Sequence, residues 1–367
     1  MTAQTVLPRW RGFNLLGFFQ RYQPGPIRRR VIAVQNVLPR WRGFRLLDRY
    51  TQRGRADWRT VAFQEDDFRW IAAWGFDFVR IPLDYVLWIE DGDVYTIDEA
   101  TLEQLDRVVR LGEQYGLHVC FNFHAAPGYC VNPKDEPFNL WKDQEALDAF
   151  CFHWGLFADR YKGIDAKRVS FDLINEPRVP YEHGSREDYE RVVRAAVATI
   201  RERDPQRLII ADGIRIGREV VPELVDLGIA QSCRGYEPAG VSHYRASWVQ
   251  GSDAWPTPTW PQLPSHPDGA SDRAALEAFY APWIALARQD VGVHCGEAGT
   301  HENTPHAVTL AWLDDLLDIL TKENIGYALW NFRGQFGVLD AGRTDVDFED
   351  WHGHKLDRKM LELLQRY

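Results

Sequence analysis

The chain of 367 residues holds 53 acidic against 43 basic side chains, a net charge of −10, with 45% hydrophobic and 26% charged positions. That composition is globular and long enough for one large α/β domain or two ordinary ones, and its acidity argues against a nucleic-acid partner, which needs a basic face. No apolar run approaches the roughly 18 residues of a membrane span, so no membrane partner is expected. Cys120, Cys130, Cys151, Cys233 and Cys295 form no C-x-x-C pair and no zinc spacing. The first residues lack a charged-then-apolar leader, so free thiols in the cytoplasm are expected for the sequence as it stands, and secretion if a leader was trimmed. The run Arg28-Arg29-Arg30 reads as a solvated loop.

Near the N-terminus, Val6-Leu7-Pro8-Arg9-Trp10-Arg11-Gly12-Phe13 returns unchanged as Val37-Leu38-Pro39-Arg40-Trp41-Arg42-Gly43-Phe44. A single echo is not a solenoid, which continues at its period. It reads as a local duplication or insertion within residues 14–63, so only one copy can be the first strand of a closed sheet. The first copy is favoured, because Asn14 beyond it is a useful polar tip and Arg45 is not.

From Glu65 the pattern is regular. Helix Glu65 to Trp74, stopped by Gly75, precedes the buried strand Phe76 to Pro82. Asp98 caps a helix to Tyr115, and strand Leu117 to His124 follows Gly116. Asp143 to Tyr161 is helical, then an apolar run from Val169 ends in Asn175-Glu176-Pro177. Helix Arg186 to Arg203 leads to strand Arg207 to Ala211, and helix Gly217 to Leu227 to strand Ile229 to Tyr236. A Trp/Pro-rich loop spans Trp248 to Pro267. Helix Ser271 to Gln289, a strand through Glu297, helix Pro305 to Glu323, strand Ile325 to Trp330 and helix Lys355 to Gln365 complete the chain. Eight strands alternating with eight helices, with no domain-scale linker, predict a single α/β domain of (β/α)8 TIM-barrel type over residues 1–367. An open doubly wound sheet is the alternative, but no glycine-rich phosphate loop follows the first strand.

In such barrels the chemistry sits at the C-terminal ends of the strands. Two of those ends present glutamates in tight settings: Leu173-Ile174-Asn175-Glu176-Pro177 and Gly296-Glu297-Ala298-Gly299. A carboxylic acid and a carboxylate about 5–5.5 Å apart are what a retaining glycosidase uses, one to protonate the leaving oxygen and one to attack the anomeric carbon. Glu176 is the expected acid/base, with a neighbouring carboxylate to keep it protonated. Glu297 is the expected nucleophile, with Arg80 to hold it by a charge-assisted bond. Asn175 is placed to bind a sugar 2-hydroxyl and His124 to donate to a sugar hydroxyl. Trp330 would form the platform under the scissile sugar. Tyr236, His243 and Tyr244 compete for the nucleophile, and spacing does not decide among them. The 15 tryptophans also lean toward carbohydrate. His352-Gly353-His354 lacks a third ligand and reads as surface. Ser242-His243 lacks a nucleophile elbow.

These motifs together resemble glycoside hydrolase family 5, the cellulase and mannanase family of the retaining β-glycosidase clan. Phe78-Val79-Arg80-Ile81-Pro82, Phe123-His124-Ala125-Ala126-Pro127-Gly128, the two glutamate motifs and Trp330-Asn331-Phe332 stand in the family's order. Gly353 to Met360 is also similar. The resemblance implies a (β/α)8 barrel, retention of configuration, Glu176 as acid/base, Glu297 as nucleophile and no cofactor. It departs at one place: where the family usually has His-x-Tyr after the sixth strand, this chain has Arg234-Gly235-Tyr236. The tyrosine carries over and the histidine does not, and an arginine adds positive charge beside the acid/base.

The expected activity is hydrolysis of β-glycosidic bonds, foremost β-1,4-glucan, with an oligo- or polysaccharide as the partner and a monomer or weak oligomer as the state. Mannanase, xylanase or oligosaccharide β-glycosidase action by the same residues is the alternative. A non-catalytic sugar-binding barrel is a further one, disfavoured because both glutamates are present.

Overall fold

Short strands buried on both faces need cover inside and out, and a closed parallel barrel supplies it. The computed structural model describes residues 7, 9–15, 65–132, 138–180, 184–266 and 269–367. The second copy of the repeat and the Arg28–Arg30 run lie outside them. Eight parallel strands form the barrel: β1 Arg11–Asn14, β2 Phe78–Asp84, β3 His118–Ala126, β4 Val169–Asp172, β5 Leu208–Asp212, β6 Ala230–Gly235, β7 Val293–Ala298 and β8 Gly326–Leu329. Each pairs with its chain neighbour, and β1 closes on β8 with Arg11 opposite Tyr327 and Phe13 opposite Leu329. The first copy of the repeat therefore supplies the closing strand. Gly12 is required there, since a Cβ would lie 1.7 Å from the Phe78 carbonyl oxygen.

Strand alternation sorts the side chains. On β2, Val79 and Ile81 face the helices and join the main core, whereas Phe78 belongs to a second cluster with Leu7, Trp10, Cys120, Ile210, Ala230 and Ala328. That second cluster is the floor of the barrel, where Trp10 stacks on His118 at 3.9 Å and on Phe78 at 5.4 Å. Two residues further along β2, β3 and β5, polar groups replace apolar ones, namely Arg80, Asn122 and Asp212, with Asp172 of β4 in register with Asn122, and all four are buried. The floor excludes water from below, and the polar layer above it becomes the site.

The helices are α1 Glu65–Ala73, α2 Glu99–Tyr115, α3 Gln144–Arg160, α4 Arg186–Arg203, α5 Arg273–Ala287, α6 His306–Lys322 and α7 Arg358–Gln365. Asp98 accepts from the Ala100 amide to start α2, and Gly116 in the left-handed region ends it. Ser185 and Asp188 form a capping box on α4. Helix α3 fixes the end of β4 directly, because Trp154 stacks on Phe123 at 3.8 Å and its indole N–H donates to the Leu173 carbonyl at 3.2 Å. Truncating Trp154 to alanine would cost about 3–5 kcal/mol at such a site. Among the described residues no helix is long and apolar enough to cross a membrane.

Two elements differ from the sequence reading. Between β5 and β6 there is no α-helix Gly217 to Leu227, only a turn over Ile214–Gly217, with Arg215 and Ile216 in the left-handed region, and a 3₁₀ segment Pro222–Leu227. The backbone of Val221 is taken instead by the Gln231 side chain, which accepts its N–H at 2.9 Å and donates to its carbonyl at 2.7 Å. The last helix starts at Arg358 rather than Lys355, because His354–Leu356 pairs antiparallel with Glu349–Trp351. Asp357 caps α7 by accepting from the Met360 amide at 3.0 Å.

Candidate active site

The strand ends converge on two guanidiniums. Arg80, from β2, is 1% exposed and uses every side of its fork. Its Nη1 donates to Glu297 Oε1 at 2.7 Å and to Asn14 Oδ1 at 3.0 Å, Nε to Asp172 at 2.8 Å, and Nη2 to Asn175 Oδ1 at 2.9 Å. Asn14 in turn donates to the Gly296 carbonyl at 3.0 Å, which ties β1 to the strand that carries Glu297.

Arg234, from β6, is the second. Its Nε donates to Glu176 Oε1 at 2.8 Å, its Nη2 to Asn175 Oδ1 at 2.8 Å, and its two Nη atoms grip Asp212. The same Nη2 lies 3.6 Å from Glu297 Oε1, so one side chain reaches both glutamates. Two guanidiniums thus face four buried carboxylates: Asp172, Asp212, Glu176 and Glu297.

That excess of negative charge in a dry site has consequences for proton affinity. Burial, reinforced by the Glu297 carboxylate and opposed by Arg234, pushes Glu176 up to about 8. Burial and Asp212 push Asp172 up to about 7 against the pull of Arg80. Tyr236 is also pushed up by burial and Glu297, so it stays a phenol, and its hydroxyl donates to Glu297 Oε2 at 3.1 Å.

Glu176 has a backbone φ of 50°, the left-handed region that a non-glycine residue seldom occupies. Two neighbours hold it there. Asp212 accepts its N–H at 2.8 Å, and the Tyr129 hydroxyl donates to its carbonyl at 2.6 Å. Because Asn175 Oδ1 is occupied by both arginines, its Nδ2 points to His124 Nε2 at 3.2 Å. The His124 ring must then accept at Nε2 and carry its proton on Nδ1, which donates to Asn122 Oδ1 at 3.2 Å. Trp330 stacks over the His124 ring at 5.4 Å, and the Trp330–Asn331 peptide is cis.

Of the nine side chains singled out from sequence, Arg80, His124, Asn175, Glu176, Tyr236, Glu297 and Trp330 meet in this one cluster. His124 differs in what it offers, since its Nε2 accepts from Asn175 rather than presenting a free donor. Of the three candidates to reach Glu297, Tyr236 does so. His243 packs edge-on against the Tyr236 ring at 4.9 Å and bonds Ser242 at 2.8 Å, with desolvation holding it down to about 4, neutral at physiological pH. Tyr244 pairs with Thr257 at 3.3 Å instead of either glutamate. His354 bonds Asp340 at 2.8 Å and His352 stacks on Trp70 at 5.4 Å, away from the cluster.

Sequence reasoning passed over Asp172, Asp212, Tyr129 and the rim. Asp212 ends an apolar strand just as Glu176 and Glu297 do, and that was the available signal. On the rim, Trp248 is 53% exposed yet rests on three rings, His243, His301 and Phe336, at 5.3–6.3 Å. Phe336 and His243 also touch the Tyr236 ring, so an aromatic wall runs from the Glu297 partner out to solvent.

Comparison with known proteins bears on the family and the fold. Residues 35–335 match the family described as Cellulase (glycosyl hydrolase family 5). Endoglucanase C of Acetivibrio thermocellus is 24% identical over 311 residues, 78% of this chain and 88% of that protein. Cellodextrinase A of Ruminococcus flavefaciens is 24% identical over 267 residues, 71% of this chain and 76% of that protein. A solved structure described as a glycoside hydrolase aligns with a TM-score of 0.83 at 34% identity, over 98% of this chain and 99% of that one. Thermotoga maritima Cel5A in complex with cellobiose shares the fold, with a TM-score of 0.70 at 21% identity over 97% of each chain. The sequence match opens ahead of the second copy of the repeat, whereas the strand that closes the barrel is the first. The chain belongs to the cellulase family, glycosyl hydrolase family 5, and is a glycoside hydrolase.

Proposed function

We propose that the protein cleaves β-1,4-glucan within the chain by double displacement, with retention at the anomeric carbon. The observation that carries this reading is the pair of glutamates reached by one guanidinium, Arg234, with unequal surroundings. Glu176, raised to about 8, holds the proton that the departing glycosidic oxygen needs. Glu297 is gripped at Oε1 by Arg80 and at Oε2 by Tyr236, which fixes it for attack on the anomeric carbon. Once Glu297 is esterified, the like charge beside Glu176 is gone, and its carboxylate form can draw a proton from water to release the sugar. Asn175, its Oδ1 locked by both arginines and one Nδ2 proton given to His124, keeps its second Nδ2 proton for the sugar 2-hydroxyl. Trp330 forms the floor under the reacting ring, and Trp248 a further apolar face for a pyranose at the rim.

Mannan is the second substrate to consider, because Thermotoga maritima Cel5A, which shares this fold at 22% identity, has also been solved with mannotriose. Reducing-sugar release from β-glucan, mannan and xylan, by the wild type and by Glu176→Gln and Glu297→Gln, tests the reading. Hydrolysis of β-glucan foremost, lost by about three or more orders of magnitude in each variant, is expected. Activity that survives Glu297→Gln would remove the nucleophile from this account.

A further inference from the structure

A buried arginine bonded to the acid/base of a glycosidase calls for an explanation, since a cation beside an acid works against protonation. Direct recognition of an acidic sugar does not supply it. All five N–H groups of Arg234 are used: Nε by Glu176, Nη1 by Asp212 and Ser232 Oγ, and Nη2 by Asn175 and Asp212. The side chain is 2% exposed. Nothing is left for a ligand.

What the fork does is divide the Glu176 carboxylate into two unlike oxygens. Oε1 is held by Nε at 2.8 Å, and no described residue is bonded to Oε2. Asp212, gripped by the far edge of the same guanidinium, also accepts the Glu176 N–H at 2.8 Å. Backbone and carboxylate of the acid/base are therefore both fixed from one unit, Arg234 with Asp212. We propose that Arg234 is a positioning residue that reserves Oε2 of Glu176 for the proton, and whose permanent charge favours the carboxylate once Glu297 has been esterified, giving up some occupancy of the protonated form in the acid step for occupancy of the carboxylate in the base step. This rests on the double-displacement reading above. The step balances as ordinary hydrolysis: as Glu297 bonds the anomeric carbon, the Oε2 proton leaves with the sugar alcohol, and water then gives one proton back to Oε2 and its hydroxyl to the anomeric carbon as the bond to Glu297 breaks.

The groups that face Glu176 are Arg234 from β6, Asp212 from β5 and Glu297 from β7, with Tyr129 on its backbone carbonyl. Of the two that Arg234 brings, its own attraction outweighs the Asp212 repulsion. Removing the guanidinium should therefore raise the proton affinity of Glu176. The test is a ¹³C NMR titration of glutamate side-chain carboxyls in the intact protein, with the Glu176 signal identified by its loss in Glu176→Gln. In Arg234→Gln the Glu176 midpoint is expected to rise by about one unit or more, whereas Arg234→Lys stays nearer the wild type. On an aryl β-glycoside whose good leaving group needs no acid, the deglycosylation-limited kcat of Arg234→Gln should fall about tenfold at neutral pH.

A midpoint that is unchanged or lower in Arg234→Gln overturns the proposal. If that variant does not fold, Arg234→Gln with Asp212→Asn removes both charges together, and the same upward shift, smaller, is required of it. The titration uses no substrate, so a wild type that hydrolyses nothing would defeat the proposed activity while the midpoint still decides on Arg234.

Discussion

Glu176 feels burial and the Glu297 carboxylate on one side and the Arg234 guanidinium on the other, and the first two prevail, raising it to about 8 from an ordinary 4.5. An acid raised in this way keeps its proton below that value and loses it above. The kcat/KM for an unactivated β-glucan oligosaccharide is therefore expected to hold from neutral pH to about 8, then to fall about tenfold per unit. A pH–rate profile checks this, and a fall that begins near 4.5 would mean that Arg234 prevails instead. Much of this cluster was legible at the residue scale, because a charged or amide side chain ending an apolar strand has few places to go but the barrel mouth. Glu176, Glu297, Arg80 and Asn175 were found by that rule. The way they pair was not legible. Whether Arg234 bonds the acid, and whether Asn175 turns its oxygen or its nitrogen to the substrate, depends on Asp212 and on lateral distances that sequence spacing does not contain. Tyr244 shows the converse, since nearness to Tyr236 in the chain did not bring its hydroxyl to the same carboxylate.

At the scale of elements, what failed was local propensity set against a competing backbone partner. Residues 217–227 have helical spacing, but the Gln231 amide takes both backbone groups of Val221 and leaves a 3₁₀ turn. Lys355 has a helical neighbourhood too, yet its amide donates to Asp340 at 2.9 Å and its residue joins a hairpin. The first strand is the opposite case. Two identical octapeptides compete for one slot, and the residue that follows each decides. Asn14 is 0% exposed, accepts from Arg80 and donates across to Gly296, whereas Arg45 in that slot would put a third guanidinium among these buried groups. Two deletions that differ by one position separate these cases. Removing residues 15–45 leaves Asn14 followed by Leu46-Leu47 and is expected to keep the fold and the activity. Removing 14–44 places Arg45 after Phe13 and should cost about 3–5 kcal/mol in urea unfolding, the range for a buried charge without its partner. Equal stability of the two would show that Asn14 does not select the strand.

Over the whole molecule, the barrel converts sequence distance into contact. Its floor of Leu7, Trp10, Phe78 and their neighbours seals one end, and the helices bury the outward faces of the same strands. The interior layer above that floor can then hold four carboxylates and two arginines out of water, which no isolated strand could do. Alternation of strands and helices made this architecture readable from the sequence. The rim was less so, because Trp248, His301 and Phe336 come from three different loops and meet only when the barrel has closed. In the double displacement proposed above, Glu297 forms the covalent bond that Glu176 then helps to break. The most direct measurement is mass spectrometry of the protein after incubation with a 2-deoxy-2-fluoro-β-cellobioside bearing an activated leaving group. A single added fluorosugar is expected, with the labelled peptide carrying it on Glu297. A label on another residue, or no label while an unfluorinated analogue is hydrolysed with inversion, would contradict it.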